Sequence, residues 1–283
     1  MKKHFKKLLA VAVATGLMAT MTCMSVSAEE ADGFVTVSVE KFSIGQGYVS
    51  QPKTVPFYEG DNGIDIVKRA VGEENVVVTD GGWGSYISGF VDNEGEIVLP
   101  DCVAEVLDAS TFTGRADADV LSEFDYTSES GFMFFINCDS ASVGISDYMP
   151  CDGDVISLRF SVYNYGADVG CDNSSWGGSE SLIGDVDRCE ATKLIAEANA
   201  VGNVDISDEM SVICDLDSTQ EEIDLACKNI EEKLNPAEET PDEEIPKEDN
   251  GDKKPSDTGF SVGIFLPAVI GACAIVSKKK SKN

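Results

Sequence analysis

Residues 34–39 alternate large apolar side chains with small polar ones, the two-residue period of a strand with one buried face. A second extended run covers 52–58, and the turn-forming residues 59–63 follow it. Ile64, Val67 and Val71 then recur at helical spacing, so a short helix is expected to pack on the sheet. Further strands are expected at 76–78, 86–91, 132–137 and 155–163.

Beyond residue 190 the period changes. Ala191, Leu194, Ile195, Ala198 and Val201 form one apolar stripe, and Ile223, Ala226, Cys227, Ile230 and Leu234 form another. Ser218-Thr219-Gln220-Glu221 has capping-box spacing at the start of the second helix, and 208–216 supplies a short third one. The Gly/Ser-rich connector 173–181 separates the two regions. The pattern therefore predicts an α+β chain: a mixed sheet with one short helix over 29–172, then a helical hairpin or three-helix unit over 182–235.

The ends read differently. Four lysines at 2, 3, 6 and 7 precede an apolar run over 8–24, and small residues lead to Ala28 before Glu29. This is a signal-peptide layout, with cleavage expected between Ala28 and Glu29. Residues 236–258 are rich in proline and like charge and nearly free of apolar side chains, the composition of an extended acidic stalk. An uncharged apolar stretch over 259–277 and a lysine tail over 278–283 predict a membrane anchor with a cytoplasmic basic end. The folded part is expected outside the cell, attached by its C-terminus to membrane or wall.

Charge and chemistry narrow the function. The net charge is −30, which disfavours nucleic acid as a partner. The single histidine, His4, lies in the segment expected to be removed. Without imidazole, a Ser-His-Asp triad, a Cys-His pair and a His-ligated zinc site are not available to the mature chain. A hydrolase built on paired carboxylates stays open. No Cys-x-x-Cys pair supports a zinc ribbon or a thioredoxin-like motif. Seven cysteines lie outside leader and anchor; Cys138 and Cys151, which flank 143–148, are the first choice for a disulfide.

Three aromatic residues are candidate ligand contacts: Trp83 and Tyr86 around a Gly-rich loop, and Trp176 in the connector. Asp152-Gly153-Asp154 reads as a turn rather than a cation site. Asp185, Asp187, Asp215 and Asp217 suggest calcium loops, but an EF-type loop from Asp215 would need glycine and an acid where Gln220 and Ala226 stand. No catalytic residue, metal or cofactor is assigned.

Larger blocks carry resemblances. Residues 131–137, 143–148, 152–156 and 165–170 together resemble the transcobalamin C-terminal-like family (DUF4430), with the likeness running over about 34–170. It implies a β-grasp-type fold and no catalytic motif, and it raises corrinoid binding as an alternative. Where that family has Asn-Gly at a hairpin, this chain has Asn137-Cys138. Residues 187–198 and 217–224 resemble FIVAR-type helical repeats, mainly spacers or adhesin parts. Residues 255–259 with the apolar stretch and basic tail resemble a degenerate sortase signal, which implies cleavage between Thr258 and Gly259 and attachment to peptidoglycan. The function expected is non-catalytic recognition or adhesion at a Gram-positive cell surface, with a glycan, host protein or small molecule as ligand.

Overall fold

Strand β1 (Gly33–Glu40) is the hub of a five-stranded mixed sheet. It pairs antiparallel with β2 (Tyr48–Phe57) on one side and parallel with the last strand, β8 (Val155–Ser161), on the other. Strand β6 (Gly131–Ile136) lies antiparallel to β8, and the two-residue β7 (Asp139–Ser140) closes the edge. A second antiparallel sheet carries β3 (Val76–Gly81), β4 (Gly84–Val91) and β5 (Val120–Ser122) in that order. The computed structural model describes residues 30–236 except Trp83. The expected leader with Ala28 and Glu29, nearly all of the stalk, the anchor, and Thr258 and Gly259 lie outside the described residues, as does Trp83.

Helix α1 (Gly63–Val71) starts where the spacing places it. Asn62 Oδ1 accepts the N–H groups of Ile64 and Asp65, and Asp65 Oδ2 accepts the Asn62 N–H, a reciprocal capping box. Its Ile64, Val67 and Ala70 are buried against Val35, Val37, Ile156 and Leu158 on the front face of the large sheet, together with Ile87 and Phe90 of β4. Each of the Val, Ile, Leu and Phe side chains contributes about 1.5–3 kcal/mol when fully buried.

Alternation along β1 predicts one buried face, yet both are buried. On the back face, Thr36, Ser38 and Glu40 of β1 and Ser157, Arg159 and Ser161 of β8 are all shielded from solvent. Helix α3 (Cys189–Val201) covers this face, packing on β2, β1 and β8. Small hydroxyl side chains let a helix approach a sheet closely, and each must then find a partner. Ser38 does so by donating to Glu40 Oε1 at 2.7 Å, with Ser157 Oγ in hydrogen-bond contact at 3.1 Å.

Helices α4 (Ser207–Ile213) and α5 (Gln220–Leu234) complete a small bundle around Ile195, Ile213, Ile223 and Ile230. Of the stripe expected on α3, Val201 is exposed and the other four residues are buried. The α5 box stands one residue later than the spacing suggests: Thr219 and Glu222, not Ser218 and Glu221, make the reciprocal bonds. Ser218 Oγ instead donates to the Val212 carbonyl, closing the turn after α4. Tyr48 of β2 and Leu216 carry the bundle's packing into the sheet domain, so residues 30–236 fold together.

A long segment joins β4 to β6. It contributes α2 (Asp101–Ala104) and lays β5 along β4, lengthening the second sheet. Lys41 and Arg115 both clamp Asp92, at 2.6 and 2.7 Å, and Arg115 Nε donates to Tyr126 OH. No helix among the described residues is long and apolar enough to cross a membrane.

Candidate functional site

Two features stand out: a cleft on the back face of the sheet and a string of exposed aromatic loops. The cleft, about 320 Å³, lies between the β6–β7 turn and the segment leading into α3. Asn137 and Cys138 form a two-residue hairpin turn with φ of 50° and 67°, the left-handed pair of a type I′ turn. Asparagine tolerates this conformation; cysteine rarely adopts it.

Cys138 is held there by a disulfide to Cys189, the first residue of α3, with Cα atoms 5.8 Å apart. The pairing expected with Cys151 is therefore corrected. Cys138 turns to the back face, where Arg159 NH2 lies 3.6 Å from its sulfur. Cys151 ends the segment whose Ile145 and Tyr148 pack with α1 on the front, and it is a free, exposed thiol. Asp187 Oδ1 accepts the Cys189 N–H at 2.7 Å, bringing a carboxylate beside the two sulfurs.

Arg159 forms the floor of the cleft. Its guanidinium stacks over the Phe135 ring at 3.9 Å, donates to the Val169 carbonyl at 3.1 Å, and reaches Glu40 at 3.5 Å. Arg188, also buried, donates to the carbonyls of Ile213 and Asp215. Burial lowers its pKa, with the Glu40 charge opposing the shift. Two arginines around one glutamate leave this interior with an excess of positive charge, which is costly without partners. Behind them, burial and the Glu40 charge push the Cys214 thiol up to about 12 and hold the Tyr48 phenol well above its ordinary value. Neither group ionises at neutral pH.

Three of the four acidic residues weighed as calcium ligands, Asp187, Asp215 and Asp217, accept backbone N–H groups. Asp217 accepts the N–H groups of Asp101 and Cys102, fastening α2 to the turn before α5, and Asp215 accepts that of Asp217. A groove of about 480 Å³ lies beside Asp217 and Cys214. Asp152-Gly153-Asp154 is a turn: Gly153 has φ of 86°, and Asp152 and Asp154 accept the N–H groups of Phe34 and Cys151.

The aromatic string lies on other loops. Tyr86, on β4, donates its hydroxyl to Glu123 at 2.8 Å, and this bond raises its pKa. Next to Glu123 stands Phe124, 62% exposed at φ 65°. Its N–H donates to the Ser130 carbonyl, and neighbouring Glu129 accepts the N–H of Asn164. Tyr165 follows, 61% exposed at φ 51°. Asn173 Nδ2 donates to the carbonyls of Asn164 and Tyr165, and the Ser179 N–H donates to Asn164 Oδ1. These bonds brace the loop bearing Trp176, which is 90% exposed.

Hydrogen-bonded loops thus connect Tyr86 to Trp176 through two aromatic residues that sequence reasoning missed. Tyr165 sits between Asn164 and Gly166, a turn signal that could have exposed it. Nothing local marks Phe124. Arg159 and Cys189 were missed as site residues, and Asp187 was weighed only as a calcium ligand, because Cys138 reaches them from a distant segment.

No family model and no curated protein match this chain. Among solved structures, a crystal structure described as that of "a putative metal binding protein from Ruminococcus gnavus" aligns with 46% of this chain and 97% of its own length. Identity is 13% and the TM-score 0.25, a likeness too distant to carry an argument.

Proposed function

We propose that the chain is an exported, surface-attached recognition protein that binds neutral glycans through Phe124, Tyr165 and Trp176, with Tyr86 at one end of the string. The observation that carries this reading is that Phe124 and Tyr165 are both bulky, both exposed and both held at positive φ. Such a conformation costs about 1–3 kcal/mol per residue and persists only where the surroundings enforce it. Presenting an aromatic face to a ligand is a reason to keep it. Aromatic faces stack on the apolar faces of sugar rings, and the chain's net charge of −30 turns away polyanionic ones.

Extracellular location, by signal peptide and C-terminal membrane or sortase-type anchor, rests on the charge and apolar pattern of the two ends. For residues 33–170 we infer a β-grasp fold of the transcobalamin C-terminal-like kind. The strand order β2-β1-β8-β6-β7, with β1 parallel to β8 and α1 on one face, supports it.

The test is a neutral-glycan array probed with the full chain, followed by titration of any hit. Saturable binding is expected, weakened about tenfold or more by Tyr165→Ala or Trp176→Ala, since aromatic stacking contributes about 0.5–1.5 kcal/mol per contact beyond area burial. Melting temperatures should stay level, because neither ring is buried. Uniformly blank arrays, or binding indifferent to both substitutions, would overturn the reading.

A further inference from the structure

We infer that Cys138, Cys189 and Asp187 form a redox-gated site for a thiophilic divalent cation such as zinc. The thiol groups and carboxylate come from two segments more than forty residues apart in sequence, yet one ligand atom from each lies within 4.8 Å of the others. Cys138 and Asp187 line the 320 Å³ cleft, which gives a cation a way in, and Cys189 stands two residues beyond Asp187. The inference does not depend on the glycan reading.

In the oxidised chain the sulfurs are bonded to one another and cannot ligate. A dithiol reductant opens the site: its thiolate attacks the disulfide, a mixed disulfide forms, and its second thiol displaces the protein sulfur. Two electrons pass from the dithiol, which becomes a cyclic disulfide, to the protein, which gains two thiols. Zinc then binds both sulfurs as thiolates and releases two protons, with the Asp187 carboxylate as third ligand and water completing a tetrahedron.

Charge favours the loaded state. Zinc with two thiolates and one carboxylate carries a net −1, and Arg159, 3.6 Å from the Cys138 sulfur, balances it. The backbone is prepared as well: the Cys189 N–H bond to Asp187 orients that carboxylate, and the left-handed turn at Cys138 aims its sulfur at α3.

The full chain, reduced with a dithiol and freed of it under anaerobic conditions, is titrated with cobalt and then zinc. One cobalt per chain is expected, with thiolate-to-cobalt charge-transfer absorption that zinc abolishes; the oxidised chain should take up none. Asp187→Asn should weaken zinc binding about tenfold. The Cys138→Ser/Cys189→Ser variant, which lacks the cross-link just as the reduced chain does, should lose the site at unchanged circular dichroism. Without any variant, zinc should block alkylation of Cys138 and Cys189 in the reduced chain, read by peptide mass spectrometry. Equal uptake by the double variant or the oxidised chain, or alkylation indifferent to zinc, would overturn the inference.

Discussion

Asp168 shows how one residue can couple this fold to pH. It is wholly buried, with Ser161 Oγ and the Val162 N–H donating to its carboxylate, bracing the turn after β8. Burial pushes its pKa up to about 6, against the opposing pull of those hydrogen bonds. The folded value lies above the unfolded one, so the native state holds the proton more tightly. The linked stabilisation is complete below the ordinary aspartate value of 3.8 and disappears as pH rises through about 6. The melting temperature of wild type relative to Asp168→Asn should therefore fall between about pH 4 and pH 7. Calorimetric scans across that range check it, and parallel curves would refute it.

Among the elements, helix starts are where local chemistry is most legible and where its ambiguity shows. Both Glu221 and Glu222 follow candidate cap residues at the right spacing, so the sequence permits two registers for the α5 box. The choice falls to Thr219 because Ser218 is drawn into the turn after α4. Thr219→Ala should cost about 1 kcal/mol in urea denaturation, the usual worth of such a cap. No change would mean that the box is not formed in solution. The β6–β7 hairpin teaches a related lesson: its type I′ turn forms without glycine where Asn137 Nδ2 donates to Asp154, Asn137 Oδ1 accepts the Val155 N–H, and Cys138 meets Cys189 of α3.

At the scale of the molecule, the helices behave as a lid on the sheet rather than as a bead beside it. Asn199 Nδ2 donates to the Pro52 carbonyl, Cys189 is bonded to Cys138, and the Ile195 side chain, fully buried, lies on a helix pressed against β2. Ile195→Ala should lower stability by about 2–5 kcal/mol and move the far-UV and near-UV melting transitions down together. A helical transition that separates from the sheet's would show two independent units.

Periodicity marked β1–β4, β6, β8, α1 and α3–α5, because an amphipathic face is written in residues two or three to four apart, whereas the short β5, β7 and α2 carry no such signal. It also determined the α+β class, and the Asp152-Gly153-Asp154 turn was visible in its residue types. What tertiary structure decided is everything that depends on segments meeting across the chain. The hydroxyls of β1 read as a wet face until α3 covers them. Cys138 reads as the neighbour of Cys151 until the left-handed turn after β6 directs its sulfur to the side where Cys189 waits. The exposure of Phe124 follows from a backbone angle that no local pattern encodes, and the turn bearing Tyr165, though marked by Asn164 and Gly166, is braced by Glu129 and Asn173 from other segments.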